Sequence, residues 1–294
     1  MNEIDLHCHT IASDGLLGPT ELVAHARAMG LQTIAVTDHD TVAGIDEALT
    51  AAGRLGLEVI PGVEINTDVP QGEVHILGYF LNEGWRDEEL GLLMHRIEKG
   101  RVIRARNMLQ KLADLGMSVS FERLKEIAGG EIIGRLHVAL ALVEAGHVSS
   151  RREAFDRYIG RMGPAYAERF KLSPAEACRA IARAGGLPAV AHPLGDASDG
   201  IDALVRLEQR ISELRDAGLV GIEAYYPQHT ARMTDELLAL ARRWNLIPTG
   251  GSDYHGPMPE KAELGSVYVP RRCLRQLRAA GTALTSPDSA SSAS

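Results

Sequence analysis

His7 and His9 sit one residue apart near the start of the chain, in Ile4-Asp5-Leu6-His7-Cys8-His9, and Asp14 follows five residues later, ahead of Gly15. Ile4, Leu6 and Cys8 alternate with Asp5, His7 and His9, which is the period of a β-strand, whose side chains point to opposite faces in turn. On a strand the two imidazoles share a face. On a helix, residues two apart diverge by about 200° and cannot hold one ligand. The chemistry this spacing offers is metal binding from a strand end, with Ser13-Asp14-Gly15 as the turn that follows. For this stretch alone, two solvated polar residues near a terminus are the plain alternative.

The same residue types recur at further strand ends: Asp38, His39 and Asp40 in "TDHD", Glu64 in "PGVEI", His75 in "EVHILGY", His192 in "AVAHP", and Asp253 and His255 in "GGSDYH". One such histidine is ordinarily structural or solvated. A set at six strand ends, brought to the single face where barrel active sites lie, reads as a metal centre. Imidazole and carboxylate without thiolate suit Zn²⁺, Mn²⁺ or Fe²⁺. His7, His9, Asp14, His39, Glu64, His75, His192, Asp253 and His255 are too many donors for one ion, since catalytic zinc takes three protein ligands and a water. They suit two or three divalent ions bridged by a carboxylate, an arrangement fitted to phosphate esters. His25 and His95 fall on helices and His147 at a helix end, so these three read as structural or surface residues.

The elements that must position these groups alternate. "EIDLHCHT" is a strand, and a helix follows from Pro19 to about Gly30. "QTIAVTDHD" is a second strand, with a helix ending at Gly56; "LEVIPGVEI" and "VHILGYF" are further strands. The pattern resumes with "GLPAVAHP", a helix over 201–217, "LVGIEAYY", a helix over 233–244 and "LIPTGGSDYH". Repeated strand–helix units predict a parallel sheet closing into an α/β barrel of about seven units. Residues 86–171 hold no strand candidate. Helices are expected at 86–115, 121–128, 135–145 and 151–159, as a helical insertion (86–171) in a barrel made of residues 1–85 and 172–284. "TSPDSASSAS", 285–294, reads as a disordered tail.

The 294 residues suit one large domain or a domain with an insertion. Cys8, Cys178 and Cys273 are odd in number and widely separated, which points away from a disulfide framework or cysteine–zinc site and towards a reducing compartment. No basic leader precedes Asp5, and no run approaches the ~18 apolar residues of a membrane helix. The expected location is therefore the cytoplasm, with no membrane contact and no protein partner inferred. Net charge is −8, yet residues 96–171 carry 15 Lys/Arg against 9 Asp/Glu, a local +6, leaving 16 against 30 elsewhere. An acidic body with a basic middle fits a metal centre overhung by an anion-binding segment.

In order, "DLHCHTIASDG", "TDHD", "GVEI", "VHILGY", "AVAHP" and "GGSDYHG" resemble the motif series of the polymerase and histidinol phosphatase (PHP) superfamily, with no departure at a ligand position. The resemblance implies a distorted (β/α)7 PHP barrel with a trinuclear centre. By motif position, His7, His9, Glu64 and Asp253 would hold one ion; Glu64, bridging, with His75 and His192 a second; Asp14, His39 and His255 a third. Asp5, Asp38 and Asp40 would stand behind them, orienting imidazoles or binding water. "EKGRVIRARNM", "GRLHVALALVEAG" and "SRREAFDRYIGRMGPAYA" resemble the insertion of stand-alone PHP enzymes acting on nucleotides: 3′,5′-nucleoside bisphosphate phosphatases and 5′→3′ exonucleases of short RNA.

Arg101 and Arg104 share a helical face, Lys99 lies near the earlier turn, and Arg135 and His137 open another helix whose free N–H groups also suit a phosphate. These, with Asp40, are the expected substrate contacts, and guanidinium groups can grip phosphate bidentately. Tyr225, Tyr226 and His229 in "EAYYPQHT" are expected on the site side, to stack a base or lend a proton. The expected reaction is hydrolysis of the 3′-phosphate of a nucleoside 3′,5′-bisphosphate by a metal-activated hydroxide, using two or three divalent ions with Mn²⁺ first among Zn²⁺, Fe²⁺ and Mg²⁺. His7, His9, Glu64 and Asp253 would form its catalytic heart, and either His229 or a water would act as the acid. Trimming of 5′-phosphorylated short RNA is the nearest alternative. Histidinol-phosphate hydrolysis, a non-catalytic PHP module and amidohydrolase chemistry fit less well, because the insertion is basic, the ligand set is intact and no bridging lysine is found.

Overall fold

The computed structural model describes residues 2–69, 72–129, 133–195, 200–258 and 261–285. Its first half runs β1 (Ile4–Cys8), α1 (Pro19–Ala28), β2 (Thr33–Val36), α2 (Ile45–Leu55), β3 (Glu58–Val69) and β4 (Gly72–Tyr79). Among the described residues four helices follow without a strand: α3 (Glu88–Asp114), α4 (Phe121–Ala128), α5 (Arg135–Glu144) and α6 (Arg151–Ala154), the last continuing as a π-helical turn over Phe155–Ile159. The chain then runs α7 (Pro174–Arg183), β5 (Leu187–Val190), α8 (Gly200–Asp216), β6 (Gly221–Tyr225), α9 (Ala231–Trp244), β7 (Ile247–Gly250) and α10 (Arg271–Thr285).

The strands stand in chain order in one seven-stranded sheet, which curls nearly into a barrel. At the seam the His9 N–H donates to the Tyr254 carbonyl at 2.9 Å. Asp5 fastens the same seam by accepting the Ser252 N–H (2.9 Å), the Ser252 hydroxyl (2.6 Å) and the Gly265 N–H (2.8 Å). Only glycine fits at 251, where a Cβ would fall 2.4 Å from the His7 nitrogen. The close approach of "GGSD" to β1 is what sets Asp253 beside His7 and His9.

The all-parallel expectation fails at one strand. β4 runs antiparallel to both β3 and β5. Only two residues separate β3 from β4, whereas a parallel crossover needs a dozen or more. His75 therefore reaches the ligand face from the middle of its strand, as Glu64 does from the long β3, rather than from C-terminal ends.

The helix expected from residue 86 begins at Glu88, capped by Asp87, whose carboxylate accepts the Leu90 N–H at 2.9 Å. The helices at 121–128 and 135–144 stand where expected, whereas α7 and α10 were not anticipated. Helix α7 carries a plain start signal all the same: Ser173 and Glu176 cap it reciprocally and Pro174 occupies its first turn. Of the expected tail, Thr285 is the last residue of α10 and 286–294 lie outside the described residues.

Apolar packing follows the two halves of this arrangement. Ile65, Ile76, Val190 and Ile222 pack outward from the sheet against Ile181, Ile211 and Leu237 of the surrounding helices. Met108, Leu112, Leu124, Leu142 and Ile159 form a separate cluster among α3–α5 and the π-helical turn. Among the described residues no helix is long and apolar enough to cross a membrane.

Candidate active site

Glu64, fully buried, is the hub. Its Oε2 lies 3.2 Å from His7 Nε2, 3.3 Å from His9 Nε2 and 2.9 Å from His39 Nδ1. Its Oε1 lies 2.9 Å from His75 Nδ1 and 3.0 Å from His192 Nε2. Asp253 Oδ1 stands 3.3 Å from His7 Nε2 and 3.0 Å from His9 Nε2. Asp14 lies 3.4 Å from His255 Nε2, 3.9 Å from His39 Nε2 and 4.0 Å from His9 Nδ1. The nine expected ligands lie in one cluster, though His192, expected with Glu64 and His75 on the second ion, falls in none of the metal-sized groups among the described residues. Donor atoms within 4.8 Å of one another form three groups: His7, His9, Glu64 and Asp253; His9, Asp14, His39 and His255; and His39, Glu64 and His75. His9 and His39 each stand between two groups, which motif position alone did not indicate.

A metal fits this donor set. His7 Nε2, His9 Nδ1 and Nε2, Glu64 Oε2 and Asp253 Oδ1 are buried without a hydrogen-bond partner. Orphaned polar atoms are costly in an interior; His7 Nε2, His9 Nε2, Glu64 Oε2 and Asp253 Oδ1 face one another, and His9 Nδ1 faces Asp14 at 4.0 Å. Without an ion the protons are shared unevenly. Burial opposes a charge on His7, yet Glu223, Glu64 and Asp253 hold its pKa well above the ordinary range. His9 is likewise pushed up to about 10 and His75 to about 9, the carboxylates overriding burial in each case. Burial would raise Glu64 and Asp253, but the surrounding imidazoles hold both well below the usual range. A divalent ion binding there would displace the protons that these imidazoles hold and meet carboxylates already ionised to receive it. His192 (φ 24°) and Asp253 (φ 54°) hold positive backbone angles that cost non-glycine residues energy, and such strain gathers at functional sites.

The residues behind the ligands differ from expectation. Asp5 holds backbone at the barrel seam, and Asp38 binds the Thr10 N–H (2.7 Å), Thr10 hydroxyl (2.8 Å) and Ser13 hydroxyl (2.6 Å), bracing the loop that carries Asp14. Neither orients an imidazole. Glu223, unanticipated and fully buried, does so: it accepts from His7 Nδ1 at 3.0 Å and from the His192 backbone N–H at 2.6 Å. Its signal was a lone carboxylate in the apolar run "LVGIEAYY", where an unpaired charge would be untenable.

Tyr225 is not at the site. It ends β6, and its hydroxyl accepts from Arg272 of α10 at 2.8 Å rather than meeting a ligand residue. Tyr226, next in the alternation, turns inward: its hydroxyl donates to Asp253 Oδ2 at 3.0 Å and its ring lies 5.3 Å from that of His192. The His229 ring is 5.2 Å from Tyr226. His229 Nδ1 lies 3.1 Å from the Ala224 carbonyl, which can only accept, so Nδ1 carries the proton and the buried Nε2 a lone pair. Burial lowers the His229 pKa. As placed, His229 is a proton acceptor; the acid role expected of it requires prior protonation.

Beside the centre lies a wall of arginines. Arg101 Nε donates to Asp40 Oδ2 at 2.9 Å, with Nη2 on the same oxygen, and Arg169 Nη2 reaches it at 3.4 Å. Asn66 supplies Asp40 with two further N–H groups at 2.9 and 3.1 Å. Burial alone would raise the Asp40 carboxyl; Arg101 and Arg169 bring it down to about 2. Arg169, another unanticipated residue, keeps Nε and Nη1 buried and unpartnered. Arg104 is buried with no carboxylate in salt-bridge range among the described residues; burial and the charges of Arg169, Arg101 and Arg135 pull it down to about 9. Arg135 and Lys171 both bind Glu73 Oε1, at 3.0 and 2.6 Å. His137 Nδ1 accepts the Gly134 N–H at 3.1 Å, capping α5 within electrostatic reach of Asp14 and Arg101. Lys99 does not join the wall. It is exposed, about 200° around α3 from Arg101.

Comparison with known proteins agrees with this geometry. Residues 5–168 match the PHP domain. The chain is 36% identical over 253 residues to a Haemophilus influenzae protein named 5′-3′ exoribonuclease, covering 86% of this chain and 90% of that one. It is 34% identical over 258 residues to a 3′,5′-nucleoside bisphosphate phosphatase of Chromobacterium violaceum, covering 87% and 88%. A sulfate-bound, metal-free structure described as an amidohydrolase from Chromobacterium violaceum superposes with a TM-score of 0.80 at 32% identity, covering 95% and 96% of the two chains. The chain belongs to the PHP domain family and is a metal-dependent phosphoesterase.

Proposed function

We propose that the enzyme removes the 3′-phosphate from nucleoside 3′,5′-bisphosphates, leaving the 5′-monophosphate. The observation that carries this reading is the charge imbalance beside the ligand cluster. Arg101 and Arg169 share one buried carboxylate, Asp40, and Arg104, buried beside them, has no carboxylate in salt-bridge range among the described residues. Three cations against one anion leave an excess of two, which is the charge of a phosphate dianion. A substrate with two phosphates satisfies both halves, one at the metal ligands and one on the guanidiniums.

In this reading the helices over 86–171 form the substrate-binding lid, with Arg101 and Arg104 on α3 and Arg169 in the segment after the π-helical turn. Arg135 and His137 flank the wall from the start of α5. His7, His9, Asp14, His39, Glu64, His75, His192, Asp253 and His255 hold two or three divalent ions, with Mn²⁺ as the first candidate. Such ions, when bound, polarise phosphoryl oxygens and make water nucleophilic at neutral pH. The chain's own groups do the positioning: Glu223 fixes the His7 ring with Nε2 inward, Tyr226 holds the outer oxygen of Asp253, and Asp40 keeps Arg101 extended along the wall. His229 Nε2 receives a proton, and water protonates the departing ribose oxygen.

The test is phosphate release by Mn²⁺-loaded enzyme from adenosine 3′,5′-bisphosphate, with 3′-AMP, 5′-AMP and a short 5′-phosphorylated RNA alongside. Strong preference for the bisphosphate, yielding 5′-AMP, supports the reading. A second reading, 5′→3′ trimming of RNA, is favoured by a cleft of about 200 Å³ beside His75 and His192 with Arg206 and Arg210 on its wall. That cleft offers room for a chain continuing beyond the scissile phosphate. Faster degradation of the RNA than of the bisphosphate would select this second reading.

A further inference from the structure

A second cleft, of about 490 Å³, runs between α3 and the loops after β1 and β2, and it is lined by none of the metal ligands and none of the wall's arginines. Its sides are Ile11, Ala12, Val42, Ala43 and Met94, with Glu98 towards the solvent. Asp40 closes its inner end, and the same carboxylate carries Arg101 and Arg169. Ile11 and Ala12 stand on the loop that delivers Asp14. The cleft therefore opens from the point where the arginine wall and the metal ligands meet.

Its chemistry selects an occupant. Among the described residues no lysine or arginine lines it, and the charged groups there are the carboxylates of Asp40, Glu47 and Glu98 with the imidazole of His95. A phosphate would be repelled there. Glu47 is already engaged, accepting the Thr20 hydroxyl at 2.7 Å and the Thr20 N–H at 3.1 Å. Among the described residues Glu98 holds only His95, its Oε2 3.3 Å from Nδ1, which leaves its other oxygen as an acceptor. Ile11 leaves 46% of its surface exposed, which is apolar area available to a flat ring. The volume lies within the range of small-ligand sites, and apolar walls with one placed acceptor are their usual composition.

We infer that this cleft is the nucleobase subsite, taking a base that carries an exocyclic amine, with Val42, Ala43 and Met94 against the ring and Glu98 accepting the amine. The inference rests on the bisphosphate reading and adds to it the part of the substrate that neither phosphate site recognises.

The test compares adenosine 3′,5′-bisphosphate with ribose 3,5-bisphosphate, which lacks the base. Wild-type enzyme should favour the adenosine compound by about tenfold or more in kcat/KM. Gly91 offers a clean obstruction: it lies on α3 at the edge of the cleft, and a Cβ there meets nothing within 4 Å. Gly91→Phe should fill the cleft and bring the ratio of the two substrates close to one. Gly91→Ala, which also removes a helix-weakening glycine, should keep the wild-type ratio and show that the helix tolerates substitution. Glu98→Gln should narrow the preference for adenosine over inosine 3′,5′-bisphosphate. Equal kcat/KM for the adenosine and ribose compounds in wild type, or an undiminished ratio in Gly91→Phe, would overturn the subsite and leave the phosphatase reading standing. Turnover of neither compound would overturn the phosphatase reading. Calorimetric binding of the same two compounds would then judge the subsite alone, equal affinities overturning it and tighter binding of the adenosine compound sustaining it.

Discussion

Glu223 stands 3.0 Å behind His7, on Nδ1, while Nε2 of the same ring points at Glu64 and Asp253, 3.2 and 3.3 Å away. The carboxylate thereby fixes which nitrogen carries the proton, and its second oxygen ties down the backbone of His192. Losing such an outer partner typically costs 10–100-fold in metal affinity or activity. Glu223→Ala should lower metal retention by about that factor, read by elemental analysis after dialysis against graded chelator. Unchanged metal content together with unchanged turnover would remove Glu223 from the machinery.

Tyr226 makes a finer adjustment to the other carboxylate. Its hydroxyl on Asp253 Oδ2 leaves Oδ1 directed at His7 and His9. Tyr226→Phe keeps the ring beside His192 and removes only that bond, so kcat should fall about tenfold with little change in KM. Asp253→Ala removes the ligand itself and should cost about 10³-fold or more. Comparable losses in the two variants would mean that Tyr226 touches substrate directly.

The ligand set was legible in the chain because His and carboxylate residues at strand ends are few, chemically distinctive and separated by element-length intervals. Their supports were not. Glu223 looks like any single charge until its strand is known to be buried on both faces. Arg169, in "YAERFKL", looks like solvated surface charge, whereas Lys99 sits beside Arg101 in the chain but a helix turns it away. Tyr225 and Tyr226 differ only by strand parity, which depends on where β6 ends. The reversal of β4 was implicit in the two residues after Val69, too few for a crossover, yet it takes a pairing partner to show which way a strand runs.

Chelation should destabilise the protein as well as silence it. The ligand atoms that lack hydrogen-bond partners are buried in the barrel, so an ion bound there stabilises the folded state by mass action. At free metal 100-fold above the dissociation constant, that linkage of about 3 kcal/mol corresponds to a fall in Tm of roughly 5–10 °C on removal. Differential scanning calorimetry with chelator and with Mn²⁺ restored reads it directly. An identical Tm in both states would argue against a cluster buried in the core.

Arg104 is a cation held where the fold alone would not place one. It is buried, lacks a carboxylate partner among the described residues and is pulled down to about 9 by burial and its cationic neighbours. Arg104→Met should therefore raise Tm by a few degrees, since an unpaired buried charge opposes folding. The same change should raise KM for adenosine 3′,5′-bisphosphate about tenfold or more, with less effect on 3′-AMP, which has no 5′-phosphate to anchor. Lys99→Met should leave both substrates alone. Equal losses on bisphosphate and 3′-AMP would refute the anchor.

Asp40 makes the acid side of stability measurable. Its folded pKa, about 2, lies below the ordinary 3.8. The sign is that of a depressed carboxylate: its contribution is complete above pH 3.8 and is lost as pH falls towards 2. The shift corresponds to roughly 2 kcal/mol. Asp40→Asn removes that contribution and leaves Arg101 and Arg169 without their counter-ion, so the variant should be several kcal/mol less stable near neutrality. Urea unfolding from pH 7 downward should show the gap between the two proteins narrowing below about pH 4, as the wild-type carboxylate takes up its proton. A gap that stays constant across that range would mean that the loss comes from packing and not from the ion pairs that Asp40 makes with Arg101 and Arg169.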